Sequence, residues 1–209
     1  ETYMDLDQES EKILLAWIMA APYFRSFYAF PYLFINASKA SGKTRLLKLI
    51  NAILPNSIMV TSLSESSLFR IKEVKDCILI DEAERLHSKQ KENLLDLLNS
   101  GYKKGGKVIR VEGDKVKKVR EFDVYGPIVL ANIWGLDTVL EDRCITIVLQ
   151  KTDNQAIIRM PELFDLDPRI KALNRYFEGS VVYVGSFVQS AYLESVSSYL
   201  GINNNIYNT

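Results

Sequence analysis

The sequence predicts an α/β fold: a mostly parallel five-stranded sheet with helices on both faces and a smaller helical part at the C-terminus. Two observations carry that expectation. Short, almost wholly apolar runs of strand length alternate with helical stripes, and proline or glycine punctuates the junctions between them. Strands buried on both faces give such continuous apolar runs, whereas half-exposed strands would alternate with polar residues.

Glu9 to Ala21 has helical periodicity, and Pro31 precedes the buried-strand run YLFINA, 32–37. From Thr44, the residues Leu46, Leu47, Leu49, Ile50, Ile53 and Leu54 form a helical stripe that stops before Pro55. SIMVTS (57–62) and CILID (77–81) read as strands, with a helical connection around Ser64 to Ile71. Leu94, Leu95, Leu97 and Leu98 mark one face of a helix ending near Gly101. KVIRVE, then Gly113-Asp114, then KVKKVREF reads as a hairpin, because Gly followed by Asp suits a two-residue turn. PIVLAN (127–132) and CITIVLQ (144–150) complete the strands. Asp167-Pro168 is a cap and first-turn pair for a helix expected to stop at Gly179, with a second helix ending before Gly201. The expected organisation is a core over 1–152, with the hairpin inserted at about 103–122, a helical lid over 153–201 and a tail over 202–209.

Composition narrows the function classes. At 47% hydrophobic and 25% charged, with 26 basic and 26 acidic residues, the 209-residue chain is neither a disordered segment nor a uniformly basic coat. The longest apolar run, Ile13 to Phe24, has 12 residues and contains Pro22, so no membrane partner is expected. Cys77 and Cys144 lie in apolar runs, the pattern of buried free thiols, and the expected location is intracellular and cytoplasmic. The acidic start, ETYMDLDQESEK, is unlike a targeting leader and suggests a piece of a longer chain. Charge is unevenly spread. Residues 101–120 carry eight Lys or Arg against Glu112 and Asp114, a net +6, and Lys39, Lys43, Arg45 and Lys48 form a second basic cluster.

The segment ASKASGKT, Ala37 to Thr44, lies between a predicted strand and a predicted helix, the setting a phosphate-binding loop requires. Backbone N–H groups of Ser38, Lys39, Ala40, Ser41 and Gly42, together with the helix start at Lys43, Thr44 and Arg45, would face an anion. Lys43 supplies a mobile positive charge for terminal phosphates, and Thr44 a hydroxyl for Mg²⁺. Ala37 stands where such loops usually begin with glycine, which suggests a Cβ penalty in the turn. Asp81 and Glu82 follow Cys77-Ile78-Leu79-Ile80 and so should emerge at the C-terminal edge of the sheet, where ligands of open α/β folds bind. There Asp81 can organise the metal, and Glu82 can polarise an attacking water.

This loop, the strand ending in Asp81-Glu82, the later strand ending in Asn132 and the triplet Asp142-Arg143-Cys144 together resemble the AAA+ class of P-loop ATPases over residues 30–150. The resemblance implies a P-loop NTPase three-layer sandwich that uses ATP and Mg²⁺. It places Asn132 at the sensor position that contacts the attacking water or γ-phosphate. It also makes Arg143 an arginine finger reaching the next subunit's nucleotide, although Asp142 replaces the usual serine of that motif. A basic hairpin before the sensor strand is similar to that of helicase and translocase domains of phage, plasmid and primase-fused replication proteins. That similarity implies a homo-oligomeric ring, hexameric in such proteins, whose hairpins grip DNA by its backbone; Lys103, Lys104, Lys107, Lys115, Lys117 and Lys118 occupy the region. Two alternatives stay open: a ring ATPase that remodels protein or packages a genome, and a nucleotide-dependent binding switch with little hydrolysis, suggested by Ala37.

Other residues are set aside. His87, the only histidine, allows no multi-histidine metal cage. The aromatics Phe24, Phe27, Tyr28, Phe30, Tyr32 and Phe34 suit core packing better than an adenine site. Arg159, Arg169 and Arg175 are equivalent candidates for a second phosphate sensor, and nothing in the sequence chooses among them.

Overall fold

A computed structural model describes residues 3–83, 92–112 and 118–200. His87, Lys115, Lys117, the Gly113-Asp114 turn and the tail over 202–209 lie outside the described residues. The chain opens with α1 (Gln8–Ala20), capped by Asp7, whose carboxylate accepts from the backbone N–H groups of Glu9 and Ser10. A 3₁₀ segment, Ala21–Ser26, follows, with Pro22 in its first turn. Then come β1 (Tyr32–Ala37), α2 (Lys43–Ile53), β2 (Ser57–Val60), α3 (Glu65–Lys72), β3 (Cys77–Ile80) and α4 (Glu92–Ser100). The antiparallel pair β4 (Lys107–Glu112) and β5 (Lys118–Asp123) is next, followed by β6 (Ile128–Asn132), α5 (Thr138–Glu141), β7 (Cys144–Leu149), α6 (Gln155–Ile158) and α7 (Pro168–Leu200).

The main sheet has five strands in the order β2-β3-β6-β1-β7, every pair parallel. Because successive side chains of a strand point to opposite faces, each apolar run feeds two cores. Leu33, Ile35, Leu79, Val129, Ala131 and Ile147 pack with α1 and α2 through Leu14, Trp17, Leu46, Leu47 and Ile50. Tyr32, Phe34, Ile78, Ile80, Ile128 and Leu130 pack on the other face with Leu68, Phe69, Leu94, Leu98 and Leu140. The result is a three-layer α/β sandwich, as the sequence predicts. Five parallel strands put all their C-terminal ends on one edge, so the segments after β1, β3 and β6 share a single rim.

Two expectations are overturned. Glu112 pairs with Lys118, so residues 113–117 connect β4 and β5 in place of a two-residue Gly113-Asp114 turn. Gly179 does not end a helix: α7 runs unbroken from Pro168 to Leu200. A glycine inside a helix costs about 1 kcal/mol relative to alanine, which packing on either side can offset. Phe177 is buried in the core, Ser180 and Tyr23 share a hydrogen bond at 2.7 Å, Ser26 Oγ donates to the Gly185 carbonyl, and Tyr192 meets Phe27 edge to face. These contacts tie the C-terminal helix along the 3₁₀ segment instead of leaving it as two short lid helices. Among the described residues, no helix is long and apolar enough to cross a membrane.

Candidate nucleotide site

The loop after β1 is shaped by two left-handed residues. Gly42, at φ 90°, precedes α2, and Ala40 adopts φ 62°. Ser41 fastens the loop by donating its hydroxyl to the Ser38 carbonyl at 2.8 Å. Ala37, by contrast, is the last residue of β1, is buried, and has no positive φ. The expected Cβ penalty therefore falls at Ala40 rather than Ala37, because the chain is still extended at 37 and turns only after Lys39.

β6 lies between β1 and β3, in register Asn36 to Asn132 and Ile80 to Leu130. Asp81 therefore leaves β3 on the same rim as the loop. Thr44 Oγ1 donates to Asp81 Oδ2 at 2.8 Å, and Lys43 Nζ lies 3.4 Å from Asp81 Oδ1. Asp81 is buried, its amide anchored to the Val60 carbonyl at 2.9 Å, and its Oδ1 also accepts from the Glu82 amide at 3.0 Å. A buried carboxylate with a cation and a hydroxyl donor is a compensated charge, and Lys43 can exchange this partner for a phosphate. Glu82 holds φ 56°, a conformation that costs a non-glycine residue about 1–3 kcal/mol.

The donor set fits a hard divalent cation. Among the described residues, no group of three or more His, Cys, Asp or Glu could hold a metal unaided, but Mg²⁺ ordinarily takes one or two protein oxygens and completes its shell with phosphates and water. Thr44 and Asp81, 2.8 Å apart, could supply two such oxygens.

Asn132 is fully buried on the same rim. Its Oδ1 accepts from the amides of Trp134 at 3.1 Å and Gly135 at 2.9 Å, and its Nδ2 donates to the Gly135 carbonyl at 2.6 Å. The carboxamide thus holds the following loop closed.

Arg45 is turned away from the loop. Its guanidinium donates to the carbonyls of Ile157 and Met160 and lies 3.3 Å from Glu162, which Lys48 also contacts at 2.6 Å. Lys48, then Arg45, holds the Glu162 carboxyl below its usual range. The Arg45 side chain therefore ties α2 to the α6 region and forms a wall. That wall bounds a cavity of about 330 Å³ beside Gly42, lined also by Met4, Asp5, Thr152, Ile157 and Ile158. Sequence reasoning missed Met4 and the α6 isoleucines, which sit far from any motif. Of the aromatic cluster, Phe24, Phe30, Tyr32 and Phe34 are buried core as expected and Phe27 is partly buried, but Tyr28 is 61% exposed.

Arg143 lies at the opposite rim. Its carbonyl accepts from the Tyr32 amide at 2.9 Å, at the start of β1, so roughly 16 Å of strand separates it from its own phosphate loop. It cannot serve that loop in cis. The hairpin base shares this rim: Ala29 bridges Lys103, and the Phe30 amide donates to the Tyr102 carbonyl at 2.8 Å. Of the hairpin lysines, Lys104 donates to the Arg25 carbonyl, Lys107 pairs with Glu121 at 2.7 Å, and Lys103 Nζ sits over the Tyr102 ring. The backbone of Lys118 opens β5.

The chain has an α/β fold with a five-stranded parallel sheet between two helical layers. No family model matches it, and no curated protein matches it. Among solved structures it is similar to JCV helicase in complex with a small molecule, at 16% identity and TM-score 0.44, over 88% of this chain and 61% of that one. It is also similar to a Cytophaga hutchinsonii protein described as a candidate ATPase, at 12% identity and TM-score 0.44, over 80% and 57%. A third is the NrS-1 C-terminal region in its apo form, at 13% identity and TM-score 0.38, over 87% and 46%. The chain thus spans about 60% of the length of the first two.

Proposed function

We propose that this chain is an ATP-hydrolysing motor domain that works in a ring and moves along or unwinds DNA during replication of a mobile element or virus. The observation that supports it best is the convergence of Thr44 and Lys43 on Asp81 at the rim where the Ser38–Gly42 loop turns into α2. In this reading the loop amides and Lys43 hold the phosphates, while Thr44 and Asp81 hold Mg²⁺, whose charge would offset that building on the phosphate oxygens. Glu82 accepts a proton from the attacking water, and Asn132 holds the loop that follows β6 beside it. The cavity beside Gly42 receives the base. Arg143, on the far rim, completes the site of an adjacent copy, and an arginine finger supplies about 10³ to 10⁵ in rate. The hairpin lysines contact the nucleic-acid backbone without sequence preference.

ATPase rate measured against protein concentration, with and without single- and double-stranded DNA, tests assembly and partner together. Turnover per subunit is expected to climb with concentration and again with DNA, the DNA increment falling steeply with salt. Hydrolysis that assembles but ignores DNA would replace the DNA partner with a protein cargo. A constant, DNA-indifferent rate per subunit would contradict the motor.

A further inference from the structure

Arg143 is held in an unusual way. Its guanidinium carbon sits 4.9 Å from the centroid of the Tyr102 ring, and its Nε is buried with no hydrogen-bond partner. The ring therefore stands in for the carboxylate that normally aims a half-buried arginine. An aromatic face attracts a guanidinium without neutralising it or occupying its N–H groups, so the terminal nitrogens stay available to an incoming anion. Tyr102 is itself fixed, since its carbonyl accepts from Phe30 and it lies next to Gly101, whose amide donates to the Leu97 carbonyl at 2.9 Å. The same ring carries a second cation, with Lys103 Nζ 4.9 Å from its centroid.

We infer that Tyr102 is the positioning residue for Arg143. This rests on the reading of Arg143 as the group that completes a neighbouring site. The test is a double-mutant cycle in the assembled protein with Tyr102→Leu, Tyr102→Phe, Arg143→Ala and the pair Tyr102→Leu/Arg143→Ala. Tyr102→Leu is expected to lower kcat about three- to thirty-fold, the range of a partly desolvated cation–π contact, with KM for ATP unchanged. Tyr102→Phe keeps the ring face and should restore wild-type turnover. Adding Tyr102→Leu to Arg143→Ala should cost nothing more. If Tyr102→Leu lowers kcat by the same factor with and without Arg143, or if Tyr102→Phe is as impaired as Tyr102→Leu, the inference is overturned. If Arg143→Ala itself leaves turnover intact, the failure belongs to the finger role and not to Tyr102.

Discussion

Alanine at two places in one short loop has opposite meanings. At Ala37 the backbone is extended and buried in β1, so Ala37→Gly should destabilise by about 0.5–1 kcal/mol through the added freedom of the unfolded chain. At Ala40 the backbone is left-handed, where a Cβ costs roughly 1–2 kcal/mol, and removing it should outweigh the entropic loss by up to about 1 kcal/mol. Thermal unfolding of the two single variants should therefore shift Tm in opposite directions, down for Ala37→Gly and up for Ala40→Gly. A rise for Ala37→Gly would mean that the loop turns earlier than described. Which residue took the left-handed turn was not legible in the sequence, because the motif specifies donors and spacing but not the residue at which a strand ends. Glu82, also left-handed, had the same problem: its place after an apolar strand was readable, its φ was not.

The elements were legible where apolar periodicity is strong. β1, β3, β6 and β7 lie within one residue of the runs that predict them, and α2 follows its leucine stripe; in β1, β3 and β6 burial on both faces leaves little choice of residue type. The short helices α5 and α6 were not predicted; each is a single capped turn, with Asp137 and Asn154 as caps, too brief to show a period. The α7 error has a different cause. Glycine is a genuine stop signal, and only distant contacts to Tyr23, Ser26 and Phe27 keep the helix going. Since a Cβ at Gly179 meets nothing within 4 Å, Gly179→Ala should stabilise by about 1 kcal/mol, raising Tm by roughly 2–4 °C for a chain of this size. Two helices separated at Gly179 would instead lose stability in that variant, since alanine cannot adopt the left-handed cap without strain.

At the scale of the whole molecule, the sheet order decides what the site can do alone. Placing β6 between β1 and β3 gathers the phosphate loop, Asp81-Glu82 and Asn132 on one rim, while the start of β7 leaves Arg143 on the other. In the proposed reading, one copy carries the binding half of a site and the completing half of another, which would join catalysis to assembly. The loop, the carboxylates and Asn132 were readable from the sequence as motifs. The cavity wall of Met4, Ile157 and Ile158 was not, since it is made by segments some 150 residues apart with no shared pattern. The most direct test is to mix Arg143→Ala with Lys43→Ala in rings verified to contain both. Each variant alone should be nearly inactive, and the mixture should regain turnover at interfaces that pair an intact loop with an intact Arg143. Mixed rings that stay as inactive as either parent would contradict completion of the site across subunits.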